Sequence, residues 1–242
     1  MKTGMQFFGR VCEIYRILQE SYNANGRFSD KNAMNEVNAW AEVQPEDRRI
    51  PDYYYLLNVC YGPWVEERQK RVWTKAYTRF KQAYSGDLRS VPNTENLTLP
   101  FPWQVEHIHK LAKFLIAKGN SFQEFLDSLK GRTGLQVRDE FGRILSTKST
   151  KVVSTFIRDY LNLPVFPIDS RVDRMLSYLG LPRDEDMMVS LCQGNQVNAK
   201  ELNRMLYDYY GKKCPQARGE SKTVCPHCIL LEHCYYGQLY GV

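Results

Sequence analysis

Along most of this chain apolar residues recur every three or four positions, the period of an α-helix rather than of a strand. Phe7, Phe8, Val11, Ile14, Tyr15 and Leu18 form one such stripe at the N-terminus, and the polar run from Asn23 to Gly26 ends it. A second helix is predicted over Ala33 to Val43. A third opens at Pro51, because proline suits a first helical turn. A long helix then runs from about Trp64 to Tyr84, with Val65, Val72, Trp73, Ala76, Tyr77 and Phe80 as its apolar face. The polar, proline-containing segment from Ser85 to Pro102 reads as a connecting loop. Helices follow at Trp103 to Ala117, Phe122 to Leu129, Lys151 to Asn162, Ser170 to Leu179, Asp184 to Cys192 and Asn198 to Tyr210. The segment LQVRDEFGRIL after Gly134 admits two readings. Leu135, Phe141, Ile144 and Leu145 suit a short helix, whereas DEFG between apolar residues suits a strand hairpin. There is no internal repeat and no low-complexity tract, and the fold class expected is all-α.

At 242 residues the chain is long enough for one large domain or two small ones sharing a groove. Its 43% hydrophobic and 25% charged residues are ordinary for a folded protein, which argues against wholesale disorder. No apolar run reaches the roughly 18 residues of a membrane-spanning helix. Arg10 and Glu13 interrupt the apolar N-terminal stretch, so it lacks a signal-peptide core. The expectation is an intracellular protein, cytoplasmic and associated with the nucleoid in a prokaryote. The net charge of +6 accommodates a nucleic-acid partner without requiring one, since counterion release needs only a local cluster of cations. Arg68, Arg71, Lys75 and Arg79 read as a solvated helix face. His107 and His109 lie two apart, point to different helix faces and make a poor metal pair.

Seven cysteines in an intracellular chain do not read as disulfides. Cys12, Cys60 and Cys192 lie scattered in apolar contexts and read as core residues. Cys214, Cys225, Cys228 and Cys234 crowd together, with ten, two and five residues between successive members. Such clustering points to metal. A CxxC pair lets two thiolates converge from a tight turn, and the flanking cysteines complete four-fold ligation. Zinc sites of four cysteines more often use two CxxC knuckles, so one CxxC between two single cysteines favours a [4Fe-4S] cluster. His227 and His233, beside the ligands, keep a mixed zinc site as the alternative.

The terminal stretch YYGKKC…CPHCILLEHCYYG resembles the cluster loop that ends the endonuclease III family of helix–hairpin–helix DNA glycosylases. That family typically places six, two and five residues between its cysteines, so the first interval is longer here, and added loop length costs little closure entropy. Upstream, STKSTKVVSTFIRDYLNLPVFPIDSRVDRMLSYLGLP resembles the family's hairpin, second helix and catalytic-aspartate segment. Matched this way, Asp169 takes the catalytic aspartate position, and Lys151, eighteen residues before it, takes that of the lysine. Pro164, five residues before the aspartate, also fits the pattern. The resemblance implies two helical subdomains flanking a DNA groove: a helical barrel over 26–163, and a second subdomain joining 1–25 to 164–242 and carrying the cluster. It implies a monomeric glycosylase with abasic-site lyase activity, acting on double-stranded DNA with a damaged or modified base, without a membrane partner. In such an enzyme the base is flipped out of the stack. The carboxylate then stabilises positive charge on the sugar, and the lysine attacks the sugar carbon to form a Schiff base. A nucleophilic amine asks for burial or a neighbouring cation, and Lys148 is the candidate cation.

The family's hairpin reads L-P-G-V-G-R-K, and the matching stretch here, Leu145 to Lys151, has neither glycine. Lys148, Ser149 and Thr150 are the candidate phosphate donors of that turn. The family's wedge glutamine is also missing; Tyr61 stands near its place as an aromatic wedge or a core residue. Arg218 and Lys222, in the lengthened cluster loop, are further candidate DNA contacts. Three alternatives follow. Lys151 opens a solvated helix face and Asp169 caps the next helix; or Asp169 and water serve a glycosylase without lyase activity; or the protein is a non-catalytic iron–sulfur DNA-binding protein.

Overall fold

A computed structural model describes residues 2–24, 88–93, 102–119, 121–147, 150–159, 161–214 and 225–239. The helices expected at 33–43, 51–62 and 64–84 lie outside the described residues. The chain divides into two compact units, Met1–Asp30 with Leu163–Val242, and Lys31–Asn162. Among the described residues every element is helical and there is no strand. None of these helices is long and apolar enough to cross a membrane.

In the unit of residues 31–162, a 3₁₀ turn at Leu88–Asn93 packs on helix α2 (Pro102–Lys118) and buries Val91. The expected loop from Ser85 to Pro102 therefore contains an ordered turn. Helix α2 buries Ile108, Leu111, Ala112 and Leu115, the i, i+3, i+4, i+7 face of its pattern. Helix α3 (Phe122–Ser128) begins in a capping box between Ser121 and Glu124, and α4 (Gly134–Leu145) in another between Thr133 and Gln136. That second box decides the ambiguous segment. With it in place, Val137, Phe141, Ile144 and Leu145 line one buried helical face, and the hairpin reading is excluded. The core here is aromatic. Phe141 meets Phe125 edge-on at 5.4 Å and Phe156 at 5.9 Å, while Phe122 stacks on it at 6.4 Å.

Helix α4 ends at Ser146, which adopts the left-handed conformation (φ 52°, ψ 43°). The Thr147 amide closes the turn onto the Gly142 carbonyl at 3.1 Å, and Lys110 of α2 donates to the Leu145 carbonyl at 3.1 Å. Helix α5 (Lys151–Asp159) follows and packs on α4. It stops short of the expected Asn162, which adopts φ 55° just before Leu163 and Pro164; a residue preceding proline disfavours helix. Near its end Arg158 and Asp159 form a two-point ion pair, at 2.8 and 2.9 Å, with both side chains buried.

The other unit joins α1 (Lys2–Ala24) to α6 (Ser170–Tyr178), α7 (Glu185–Gly194) and α8 (Ala199–Lys212). Val11, Ile14, Leu18 and Tyr22 of α1 are buried, and the helix packs on α7 and α8. Burial, and next the neighbouring Cys12, pushes the Cys192 thiol up to about 12, in keeping with an inert core cysteine. Asp169, Asp184 and Asn198 are the N-caps of α6, α7 and α8, each accepting a backbone N–H of its helix. The chain ends in short turns, Cys225–His227 and Leu231–His233, and a four-residue helix α9 (Tyr235–Gln238).

Candidate functional site: a four-thiol centre and the helix beside it

Each of the four clustered cysteines is held by local backbone geometry. The Cys214 amide donates to the Tyr209 carbonyl as α8 ends, and the Cys228 amide to the Cys225 carbonyl across the CxxC turn, at 2.8 and 3.0 Å. The Cys234 amide donates to Leu231, and the Cys234 sulfur accepts the Gly237 amide at 3.2 Å. Cys214 and Cys225 are buried; Cys228 and Cys234 are half-buried. Burial pushes the Cys225 thiol up, and the fields of Cys228 and Cys214 push it further. Burial likewise raises Cys234, partly offset by the Gly237 amide, with Cys228, Cys214 and Cys225 all adding to the rise. Cys225 and Cys234 therefore both sit in the fields of Cys214 and Cys228.

Gathering four potential thiolates, two buried and two half-buried, is unfavourable unless positive charge joins them. That chemistry fits a cationic iron–sulfur core, whose cube offers a separate iron to each thiolate. Among the described residues no three His, Cys, Asp or Glu side chains converge as ligands of a single metal ion. Tyr209 lies against the centre, its hydroxyl 3.1 Å from the Cys228 sulfur, and burial first, then Cys228, pushes that hydroxyl far above its ordinary value.

Aromatic and cationic contacts tie the terminal segment, residues 225–239, to the rest of its unit. Arg10 of α1 donates to the Tyr235 hydroxyl and, at 2.7 Å, to the His233 carbonyl, with its guanidinium 4.3 Å over the Tyr235 ring. Tyr236 stacks on Tyr178 at 4.9 Å. Gly180, just past α6, has φ 61°, and a Cβ there would lie 2.1 Å from the Tyr235 ring. Only glycine fits both the backbone and the ring. The C-terminal end of α6 is thus clamped by the two tyrosines that follow Cys234.

At the other end of α6 stands Asp169. Its Oδ1 accepts the amides of Arg171 and Val172 at 2.9 and 2.8 Å, the capping role expected as one alternative. The segment leading to it is pinned by two buried polar side chains. Glu185 accepts the Phe166 amide at 3.0 Å, and Asn203 donates to the Pro167 carbonyl at 2.9 Å. Sequence reasoning missed both, because each reads as an ordinary polar position of its helix. The one available sign was Pro164 and Pro167 flanking Val165 and Phe166, which marks an extended segment whose amides need partners.

Lys151 belongs to the other unit, where it is exposed at the first position of α5 and its carbonyl accepts the Thr155 hydroxyl at 2.8 Å. Within that unit the burial that a nucleophilic amine asks for is absent. Thr150 is half-buried, and its carbonyl accepts the Ser154 amide at 2.7 Å. Lys148, Ser149, Tyr61, Arg218 and Lys222 lie outside the described residues. His227 is exposed, and His233 faces Glu13 at 3.8 Å.

Among the described residues every element of the protein is helical. Compared with known proteins, the chain matches no family model, no curated protein and no solved structure.

Proposed function

We propose that the protein is a DNA glycosylase with associated abasic-site lyase activity, held in shape by a [4Fe-4S] cluster on Cys214, Cys225, Cys228 and Cys234. The observation that carries the reading is the placement of α6, which runs from Asp169 at its start to an end seated against Tyr235 and Tyr236, the two residues that follow Cys234. A centre bound there fixes the helix whose cap is the candidate catalytic carboxylate. The cluster supplies charge and rigidity to this unit and takes no part in bond breaking. Asp169 stabilises positive charge on the sugar of a flipped nucleotide as the bond to the base breaks and the base leaves with the bonding pair. Neutral Lys151 Nζ gives its electron pair to the sugar C1′; the C1′–O4′ bond then breaks, O4′ taking a proton from the nitrogen, to leave a protonated imine, and loss of a C2′ proton expels the 3′-phosphate by β-elimination, cleaving the strand.

The test is covalent trapping. Borohydride reduces an imine to a stable amine, so protein incubated with abasic duplex becomes attached to DNA. Lys151→Ala abolishes the adduct while leaving most DNA binding, since one cation among several is lost. Asp169→Asn slows trapping by about a hundredfold or more. Asparagine caps a helix as well as aspartate does, so this change separates charge from capping. A wild type that binds DNA yet yields neither adduct nor free base overturns the enzymatic reading.

The cap at Asp169 and the exposure of Lys151 favour a second reading, a non-catalytic iron–sulfur DNA-binding protein. The same trapping experiment separates the two.

A further inference from the structure

Tyr209 holds two of the four cysteines from opposite ends of one residue. Its backbone carbonyl accepts the Cys214 amide at 2.8 Å, and its hydroxyl lies 3.1 Å from the Cys228 sulfur. The residue is 4% exposed. It stands on α8, where the Asn198 cap and the fully buried Leu202, Met205 and Leu206 fix the helix in its unit. The hydroxyl is therefore delivered to the sulfur by a rigid element and shielded from water, the conditions under which a polar contact is strongest.

A metal-bound thiolate has no proton to give, so beside a loaded centre the tyrosine O–H donates and the sulfur accepts. We infer that Tyr209 is a positioning residue of the centre whose hydrogen bond to Cys228 raises the reduction potential of the cluster bound there. The inference rests on the proposed four-iron cluster. One-electron reduction makes the cluster and its thiolates more negative. A donor fixed on a ligand sulfur stabilises the reduced form more than the oxidised one. Removing the donor while keeping the ring reverses this effect.

Tyr209→Phe makes that change. In anaerobically reconstituted full-length protein it should retain the iron content of the wild type. Its midpoint potential by spectroelectrochemistry should fall by an amount equivalent to about a tenfold loss in the equilibrium constant for reduction, about 59 mV for one electron. Tyr15→Phe, whose hydroxyl faces Glu201 instead, should leave the potential in place. Replacing Tyr209 by 3-fluorotyrosine keeps the hydroxyl, makes it a stronger donor and should move the potential the opposite way. This second variant decides the matter if Tyr209→Phe fails to fold or to hold iron. Equal potentials in the wild type and the fluorotyrosine protein overturn the inference and leave the cluster standing. Wild-type protein without iron or visible absorbance overturns the cluster itself, and the inference with it.

Discussion

The described helices between residues 102 and 159 share a core of phenylalanines, Phe114, Phe122, Phe125, Phe141 and Phe156, in successive ring contacts. Among the described side chains from Cys225 to Leu239, those buried are Cys225, Leu230 and Gly237, in turns of three and four residues. Apolar burial scales with area, so the first region gains several kcal/mol for each ring, of the order of 1.5–3 each. The second has little area to bury and depends on tethers: Arg10 on Tyr235, Tyr178 on Tyr236, Tyr209 on Cys228. Small pieces of chain without a sufficient core are held by cross-links or metal. The four cysteines stand where that need is greatest.

The largest expected effect contrasts the two regions directly. Phe141 touches three other rings of the core, and Phe141→Ala should cost about 3–5 kcal/mol. Hydrogen exchange should report it as lost protection over residues 134–145, with protection over 225–239 and any bound iron unchanged. Chelating the metal should do the reverse. Equal loss in both regions from either treatment would mean that the cores are not independent.

Much of this contrast was legible in the sequence, for physical reasons. The phenylalanine helices announce themselves by period, and Ser121, Asp184 and Asn198 mark helix starts through their side-chain oxygens. The ambiguity at 135–145 came from weighing apolar spacing alone; Thr133 and Gln136, three apart, were the local sign that decides it. The crowding of Cys214, Cys225, Cys228 and Cys234 was legible because metal ligation, where it occurs, imposes spacing on sequence. The clamp of Arg10 on Tyr235 was not, since 225 positions separate the two and no periodicity links them. Nor did the sequence mark Arg158 and Asp159, adjacent charges that the fold buries together.

A smaller effect tests how far the terminal segment, residues 225–239, depends on its seat. Gly180→Ala puts a methyl group against the Tyr235 ring and a side chain at φ 61°. The left-handed backbone alone costs about 1–2 kcal/mol, and displacing the ring detaches the terminal segment from α6. The double variant Gly180→Ala, Tyr235→Ala should relieve the clash and retain the backbone cost. Non-additivity of that sign in a double-mutant cycle, read by thermal unfolding of the holoprotein, is the expected outcome. Simple additivity would show that the ring is not seated on Gly180.

The smallest effect lies in the phenylalanine unit, at the turn between α4 and α5. Ser146 holds a left-handed conformation that glycine adopts freely and that costs a residue with a Cβ. The Thr147 amide on Gly142 completes the turn in a pattern that commonly places glycine at this position. Ser146→Gly should therefore stabilise the unit by about 0.5–1 kcal/mol, the relief of strain less the greater freedom of glycine in the unfolded chain. Asparagine, which tolerates this region, should fall between the two, and valine, branched at Cβ, should be the worst. The ranking is readable as denaturant midpoints at constant slope. The resemblance to a glycine hairpin expects glycines one and three positions later, at Thr147 and Ser149. If glycine stabilises at Thr147 but not at Ser146, the left-handed residue has moved to the family's position. If it stabilises at Ser146 alone, this chain makes its turn one residue earlier, and Lys148, Ser149 and Thr150 follow the turn rather than form it.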